Sequence, residues 1–554
     1  MDHSLEMIPL GGLGEFGMNC AVLRYGKEMI LIDVGVMFPN GPLRGLGLDL
    51  IVPDITFLKE NKKNLHCILL THGHEDHIGG LPFLVNEVPV PIYGSPLALA
   101  FVKNRLSERN LQNAVSLNPI KPRQKLRFGV FNIEPLRMTH SMPDSFSFAI
   151  RTPTGVVIWS GDFKLDQNPI DGQLTDVGRL AEYGDEGVLL LCSDSTNTAM
   201  VGSTPSEHSI REPLRTIFRK AEGRIFVSCF ASSVHRAQIV MDLAKEFGKK
   251  VIALGRSMVT NLEISQKLGY LKPPPEVLQP LSKCSKLTAK QTVFLATGSQ
   301  GEHRSAMSHL AYDQYRKITI ENGDTVILSA RIIPGNELSV AGMTNQFYRR
   351  GALVYDSRTT QVHSSGHGFQ ADLKTLLNLT RPRYFVPIHG EYRQLAKHAE
   401  LAKDHGLSSN QIQILESGQI LSLCQEHIRL TGKVSVGYRY IDGGNREEIG
   451  MEVIRDRRYM AEDGIIMIVF PVKLSSKKKA KSPKIILKGF LSGNTARKME
   501  KDLSRQASLA VNNISSSDSQ DKKIFSEHVI RHLKKFLKKT TGKRPLIVPI
   551  FHST

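Results

Sequence analysis

The densest group of reactive side chains lies in residues 71–80, THGHEDHIGG. Three imidazoles and two carboxylates fall within the six positions from His72 to His77, directly after an apolar stretch at 67–70. Two histidines spaced i and i+2 on an extended loop can hold one cation, and Asp76 with His77 can point to a second. Imidazole and carboxylate ligands favour zinc and also permit manganese. The segment therefore predicts a metal site.

Two metal ions need further ligands, and His140 and Asp162 are candidates because each closely follows a strand-like apolar stretch. A single histidine or aspartate at the end of a strand is usually structural. The interpretation therefore depends on the order of these residues along the chain. That order, H-x-H-x-D-H followed by a histidine and then an aspartate, resembles the metallo-β-lactamase superfamily. The resemblance implies an αββα sandwich with metals at one edge of its sheets, supported by Asp33.

Three later positions resemble the motifs of the β-CASP nucleases. Asp194 lies in CSDST as motif A, His367 in SSGHG as motif B, and His389 in VPIHGE as motif C. A histidine at the motif C position is associated with the branches that cleave RNA. Together with the long stretch between Asp194 and His367, these motifs imply an inserted domain and a nucleic-acid substrate.

Within that group the sequence resembles the ribonuclease J family over nearly its whole length. The matching stretches are GGLGEFG at 11–17, LDLIVPD at 48–54, TGSQGE at 297–302, IPGNE at 333–337 and PIHGE at 387–391. The C-terminal part resembles the family least, and KRPLIVPI at 543–550 is its clear matching stretch. The resemblance implies a zinc-dependent ribonuclease.

The resemblance also assigns ligands. It implies two zinc ions per subunit, with manganese as an alternative, and a structural calcium ion. The first zinc would be held by His72, His74 and His140; the second by Asp76, His77 and His389; Asp162 would bridge both; calcium would use Gly47, Asp49 and Asp442.

The implied reaction hydrolyses RNA to a 5′-phosphate and a 3′-hydroxyl, internally and from the 5′ end, in rRNA processing and mRNA decay. Two cations activate water and stabilise the charge that develops on the pentacovalent phosphoryl group. The candidate catalytic residues are Asp194, His367 and Asp76. Asp194 and His367 form an acid/base pair for the leaving oxygen, and the sequence leaves open which one gives the proton.

A pocket for the 5′-monophosphate of single-stranded RNA is expected from two segments that line such a pocket in the family. Hydroxyls, turn amides and an imidazole can together satisfy a terminal phosphate. The residues are Ser232, Ser233, His363, Ser364, Ser365, Gly366 and His367. The alternative is that Ser232 and Ser233 only cap the helix starting near Val234.

Three other interpretations fit the sequence less well. A thioesterase or lactamase would share the metal ligands and have no use for the insertion or motif B. A catalytically silent RNA-binding scaffold would not need the complete ligand set. The glycine pattern of 12–17 resembles a dinucleotide fingerprint, but 19–33 is too short for the required helix, so these glycines are expected to shape a tight backbone near the site.

Composition bounds the remaining properties. No apolar run is long enough to span a bilayer and the start lacks a signal peptide, so we expect a cytoplasmic protein without a membrane partner. The six cysteines form no C-x-x-C, which suits a reducing compartment. Of the net charge of +19, +14 lies after residue 450. Such a basic region favours a polyanion or simply aids solubility, and charge alone does not decide.

The chain is too long for one core, and the expected fold class is α/β: a metallo-β-lactamase αββα sandwich, an inserted β-CASP α/β domain and a small C-terminal α/β domain. A helix is expected at 524–539, with Phe525, Val529, Leu533 and Phe536 as core. The resemblance suggests a homodimer or homotetramer and RNA-decay or ribosome-associated assemblies. The predicted boundaries are 1–204 and 351–430 for the sandwich, 205–350 for the insertion, 431–450 for a linker and 451–554 for the basic domain.

Overall fold

A computed structural model of the chain describes residues 4–39, 41–43, 45–316, 318–443, 447–472, 482–513 and 521–553. They form two compact units: unit one is Met1–Gly41 with Leu50–Arg439, and unit two is Pro42–Asp49 with Tyr440–Thr554. None of the helices in these ranges combines the length and the hydropathy that crossing a bilayer requires.

The elements up to residue 194 alternate strands with helices. The strands are β1 (Leu5–Gly11), β2 (Leu13–Gly14), β3 (Cys20–Tyr25), β4 (Glu28–Ile32), β5 (Leu48–Pro53), β6 (Leu65–Leu69), β7 (Ile92–Gly94), β8 (Leu117–Pro119), β9 (Leu126–Phe128), β10 (Phe131–Met138), β11 (Ser145–Thr152), β12 (Gly155–Trp159) and β13 (Val188–Asp194). The helices are α1 (Thr56–Asn61), α2 (Glu75–Ile78), α3 (Pro96–Ser107) and α4 (Val177–Glu186).

The middle of the chain is an alternating α/β segment, followed by the strands that complete the first domain. The middle elements are α5 (Arg211–Lys220), β14 (Ile225–Ser228), α6 (Val234–Glu246), β15 (Lys250–Leu254), α7 (Arg256–Lys267), β16 (Leu278–Gln279), β17 (Thr292–Ala296), α8 (Ala306–Ala311), β18 (Thr325–Leu328), α9 (Glu337–Arg349) and β19 (Leu353–Asp356). The completing elements are α10 (Gln370–Thr380), β20 (Tyr384–Ile388), β21 (Gly390–Glu391), α11 (Tyr392–Asp404), β22 (Gln419–Leu423) and β23 (Ile428–Lys433).

Two mixed sheets face each other in unit one, with strand orders β23-β22-β1-β3-β4-β6-β7-β8 and β20-β13-β12-β11-β10-β9. Alternate residues of each strand point to opposite faces. Ile30 and Trp159 therefore pack between the sheets. Leu31 packs with helices α1 and α3 on one outer face, and Ile158 packs with α4, α10 and α11 on the other. The predicted αββα sandwich is confirmed.

The inserted domain has one parallel sheet, β16-β15-β17-β14-β18-β19. One face of it packs on α5, α6 and α7, and the other packs on α8 and α9. The sheet extends beyond the predicted boundary at residue 350, because β19 pairs with β18 from Leu353 to Asp356. Short parallel strands separated by helices are typical of right-handed crossover units.

The remaining elements are β24 (Tyr438–Asp442), β25 (Glu448–Ile449), α12 (Met451–Asp463), β26 (Ile465–Val472), β27 (Lys484–Lys488), α13 (Gly493–Asn512), α14 (Lys522–Thr541) and β28 (Leu546–Ser553). The predicted linker 431–450 therefore contains strand residues, and its residues 444–446 lie outside the described ranges. In unit two the sheet β27-β26-β28 packs against α13 and α14. The core position near the end of α14 belongs to Leu537, while Phe536 is only partly buried.

Candidate metal centre

The predicted metal ligands lie at the ends of strands from both sheets of the sandwich. His72 and His74 follow β6, and His140 follows β10. Strands β12, β13 and β20 run parallel, with Asp194 opposite Ile388, so their carboxyl ends meet at one sheet edge. Asp162, Asp194 and His389 therefore lie close together in space. His389 has a φ of 55°, a left-handed conformation that is uncommon outside glycine and clusters at functional sites.

The first cluster contains His72, His74, His140 and Asp162. His74 Nδ1 lies 2.9 Å from His72 Nε2 and 3.2 Å from His140 Nε2. Asp162 Oδ2 lies 3.6 Å from His72 Nε2 and 3.9 Å from His140 Nε2. Ligands about 2.0–2.1 Å from a tetrahedral zinc ion would be about 3.4 Å apart. The donor set therefore fits one such ion.

The second cluster contains Asp76, His77, His389 and again Asp162. His77 Nε2 lies 3.2 Å from Asp162 Oδ2 and 3.7 Å from Asp76 Oδ2. His389 Nε2 lies 3.3 Å from Asp76 Oδ2 and 3.5 Å from Asp162 Oδ1. Asp162 Oδ1 is buried without a hydrogen-bond partner, which is costly for a carboxylate unless a cation balances it. The second donor set therefore fits an ion as well.

Hydrogen bonds on the far side of each ring fix the direction of the ligand nitrogen. His77 Nδ1 lies 2.8 Å from Asp33 Oδ2, and His140 Nδ1 lies 2.7 Å from the carbonyl oxygen of Gly366. Thr196 Oγ1 lies 2.7 Å from His389 Nδ1. Sequence reasoning identified the position of Asp33 and missed Thr196 and the Gly366 carbonyl. For Thr196, its place two residues after Asp194 is the available signal.

The electrostatics of the two clusters differ. Burial lowers the pKa of His72, His74 and His140, that of His74 to about 4, so these rings are neutral and can offer lone pairs. Burial also disfavours protonation of His77 and His389, but the carboxylates of Asp162 and Asp76 outweigh it and raise both pKa values. A cation would replace protons at those two rings.

Asp194 and His367 form a close pair beside the ligands. His367 Nδ1 lies 2.7 Å from Asp194 Oδ2 and 3.9 Å from Asp162 Oδ2. Burial lowers the pKa of His367, but Asp194 and Asp162 outweigh burial and raise it. Thr196 holds the other oxygen of Asp194 through its hydroxyl and backbone N–H, at 2.8 and 2.9 Å. The arrangement fixes the Nδ1 side of the imidazole and leaves Nε2 available for proton exchange.

The predicted phosphate-pocket residues fall on two segments. Ser233 occupies the N-cap position of α6 and makes no side-chain capping bond, so its capping alternative has no support in the geometry. His363 and Ser365 are partly exposed, and Ser365 Oγ accepts from Asn197 Nδ2 at 2.8 Å and leaves its proton free to donate. Ser364 differs, because its side chain is 2% exposed and donates to the Pro205 carbonyl.

The predicted calcium ligands all belong to unit two. Gly443 N donates to the Gly47 carbonyl at 3.1 Å, which brings the two ends of the unit together. Arg457 donates to Asp442 Oδ2 at 2.5 Å. In the described ranges, a third group of side chains is also close enough to hold a metal ion, namely Asp162, Asp194, His367 and His389, and Asp49 and Asp442 belong to none of the three groups.

The glycines of 12–17 shape the backbone beside the centre. Gly12 and Gly17 have φ values of 83° and 94°, which favour glycine. Strand β2 pairs with β21 immediately after His389. This arrangement agrees with the structural interpretation of the glycine pattern.

Known protein families match successive parts of the chain. Residues 13–223 match the metallo-beta-lactamase superfamily, and residues 222–347 match the beta-CASP domain of ribonuclease J. Residues 357–414 match the Zn-dependent metallo-hydrolase RNA specificity domain, and residues 452–554 match the ribonuclease J C-terminal domain.

Curated relatives match over most of their length. The chain is 40% identical to Ribonuclease J of Thermus thermophilus, over 99% of this chain and 95% of that protein. It is 41% identical to Ribonuclease J of Synechocystis, over 84% and 72%, and 36% identical to Ribonuclease J 1 of Streptococcus pyogenes, over 99% and 97%. A solved structure of an Enterococcus faecalis protein of unknown function is similar in fold, with a TM-score of 0.54 and 14% identity, over 76% of this chain and all of that one.

Proposed function

Because the chain belongs to the ribonuclease J family and is a metal-dependent ribonuclease of RNA processing, we propose that it uses two zinc ions to hydrolyse single-stranded RNA. The proposal includes internal cleavage and 5′-to-3′ degradation, with a 5′-phosphate and a 3′-hydroxyl as products. One observation carries it: two sets of four donor residues share Asp162 beside the Asp194–His367 pair.

The residues divide the work between binding metal and moving a proton. His72, His74 and His140 would hold one zinc, Asp76, His77 and His389 the other, and Asp162 both. When bound, the two ions would make a hydrolytic nucleophile available near neutral pH and stabilise the negative charge that develops on the phosphoryl oxygens. Asp194 orients His367 through Nδ1, and His367 Nε2 delivers the proton to the leaving 3′ oxygen.

A substrate comparison tests this function. Zinc-loaded and manganese-loaded protein is incubated with 5′-monophosphorylated RNA, duplex DNA and a thioester of a small acid, and products of each are followed. The proposal expects turnover of RNA and not of the other two. Turnover of the thioester without RNA cleavage would identify a small-substrate hydrolase, and binding of RNA without products would identify a scaffold.

We also propose that the 5′-monophosphate binds between the start of α6 and the segment 363–367. The support is geometric: Ser365 and His363 are exposed on one side of that segment, and Ser232 and Ser233 precede a helix whose N-terminus favours anions. Ser364 and Gly366 would contribute through their backbone, because the Ser364 hydroxyl is bonded to Pro205.

Three further properties are proposals. The protein would act in the cytoplasm as a homodimer or homotetramer and join RNA-decay or ribosome-associated assemblies; light scattering tests its oligomeric state. Calcium would bind Gly47, Asp49 and Asp442 only if Arg457 leaves Asp442. A rise of Tm in calcium that is absent in magnesium would support that site. An unchanged Tm in calcium would contradict it.

A further inference from the structure

The segment 362–367 lies outside the helices and strands, and its residues alternate in burial. The buried residues are Val362, Ser364 and Gly366, and the more exposed ones are His363, Ser365 and His367. The odd-numbered residues belong to the site described above, and the buried residues attach the segment to the rest of unit one.

The carbonyl groups of the buried residues have partners in two domains. The Gly366 carbonyl accepts from His140 Nδ1 at 2.7 Å, and a side chain at position 366 would collide with that imidazole. The Ser364 carbonyl accepts from Arg236 at 3.4 Å, and the Val362 carbonyl accepts from Ser329. Arg236 and Ser329 belong to the inserted domain. The segment therefore joins a metal ligand of the sandwich to the insertion.

Arg236 on α6 is 2% exposed and fully committed to this junction. Its Nε donates to Glu207 Oε1 at 2.6 Å, and one terminal nitrogen donates to the carbonyl and hydroxyl oxygens of Ser329 at 2.7 and 2.6 Å. A buried guanidinium requires both a counter-ion and acceptors for its five N–H groups. Its planar geometry fixes all of these partners relative to one another.

Hydrogen bonds and two ion pairs close into a ring that begins and ends at Ser364. Glu207 N donates to Asp166 Oδ2 at 3.0 Å, and Lys164 Nζ pairs with the same oxygen at 3.2 Å. Lys164 Nζ then reaches Ser364 Oγ at 3.5 Å. Two cations and two carboxylates balance, and each is at most 3% exposed.

We propose that Arg236 is a positioning residue of the metal centre: through the ring with Glu207, Asp166 and Lys164 it sets the segment 362–367, whose Gly366 carbonyl orients the ligand His140. It rests on the proposed metal function and goes beyond it, because it makes the geometry of the sandwich centre depend on the position of the inserted domain. Arg236 touches no metal ligand, but its Nη1 lies 3.5 Å from Nδ1 of His363 in the proposed phosphate pocket, so its effect on the centre is measured on RNA with a blocked 5′ end.

A purely structural role for the ring would have a different signature. Replacing a buried ion pair by apolar residues of similar size is often neutral or stabilising, whereas removing one partner is costly. Stability alone therefore does not require these charges. The orientation of the His140 ring does require them, because hydrogen bonds that fix a ligand histidine typically affect metal affinity by about 10–100-fold.

The test compares three variants by zinc affinity, kcat, KM and Tm. Arg236→Lys keeps the charge and loses the forked contacts. Arg236→Met combined with Glu207→Gln removes both charges and leaves no unpaired one. Arg215→Lys is the matched control, because Arg215 pairs with Glu246 at 2.7 Å on the partly exposed surface of the same inserted domain. Zinc affinity is measured by competition with a chelator, without substrate.

The proposal expects the first two variants to bind zinc about 10–100-fold more weakly and, on RNA with a blocked 5′ end, to lose kcat with little change in KM. The double variant should keep a Tm close to that of the wild type. The Arg215→Lys control should have the zinc affinity, kcat, KM and Tm of the wild type. Wild-type zinc affinity and kcat in the double variant, or loss of folding in both, would overturn the positioning role. Wild-type protein that binds zinc without cutting RNA would overturn the proposed function alone, since the zinc measurement would still stand.

Discussion

At the scale of single residues, Asp162 is the residue whose loss should affect the centre most, because its carboxylate belongs to both ligand clusters. Asp162→Ala should lose both zinc ions, and His74→Ala should lose only the ion of the first cluster. Both should abolish hydrolysis. Zinc per chain and RNA turnover are measured, with His66→Ala as control, since His66 contacts Glu28 and none of the ligands. Full zinc content with normal turnover in either variant would remove the ligand assignment.

His367 is predicted to move a proton and not to hold metal. His367→Gln should therefore lower kcat by about 10²–10⁴-fold, the usual contribution of a general acid, while zinc content stays at the wild-type value. His405→Gln, which alters a surface histidine bonded to Asn378, is the control. Loss of zinc with loss of kcat would instead make His367 a ligand.

At the scale of elements, the segment 362–367 separates end recognition from general catalysis. The combined His363→Ala and Ser365→Ala variant should slow 5′-to-3′ degradation of monophosphorylated RNA far more than internal cleavage of a 5′-blocked RNA. Gln361→Ala is the matched control, because its exposed side chain lies just before the segment and donates to Ser209 Oγ at 2.9 Å. Equal losses on both substrates would assign the pair to the general site.

Strand β10 carries an acid-sensitive contact. Burial raises the pKa of Glu134, but Arg179, Lys125 and Tyr183 outweigh burial and lower it from 4.5 to about 2. The carboxylate therefore stabilises the fold above about pH 4.5, and this contribution, up to about 3 kcal/mol, is lost as the pH falls towards 2. Glu134→Gln should lower stability at pH 7 and flatten the loss of stability between pH 5 and 2.

Urea unfolding at each pH measures this difference. The control is Glu182→Gln on α4, because Glu182 is exposed and pairs with Arg179 at the surface. This variant should lose stability between pH 5 and 2 as the wild type does. Parallel stability curves for Glu134→Gln and the wild type over the whole range would contradict the prediction.

At the scale of the whole molecule, the basic C-terminal unit is predicted to bind RNA backbone. Changing Lys535, Lys538 and Lys539 of α14 together to Gln should weaken RNA binding and reduce the salt slope of log K by up to about 2, at about 0.7 per phosphate of single-stranded RNA. Truncation after residue 450 should flatten the slope further. An unchanged salt slope in both the triple variant and the truncated protein would indicate that the basic charge only aids solubility. Loss of oligomers on truncation would indicate that the unit serves assembly.

The sequence was sufficient for the sandwich, and the histidine and aspartate side chains that it singled out as candidate ligands do converge, because most of them closely follow an apolar strand. It was insufficient where the contact is made by backbone, as with the Gly366 carbonyl at His140, since any residue type offers a carbonyl. It also misplaced the end of the inserted sheet, because the short strand β19 is only half-buried and lacks a strong apolar pattern. Ser364 was expected at the substrate, and only the alternation of the folded segment turns its side chain inward.

The order of strands in the sandwich has a consequence for synthesis on the ribosome. Strand β1 needs β22 as a neighbour, with Leu5 opposite Leu423, and the ligands run from His72 to His389. The second donor set is incomplete until position 389 has emerged, a delay on the order of tens of seconds after the first histidines are made. A nascent copy of this ribonuclease therefore remains without its complete donor sets while most of its own message is being translated, and a copy terminated before position 389 never acquires them.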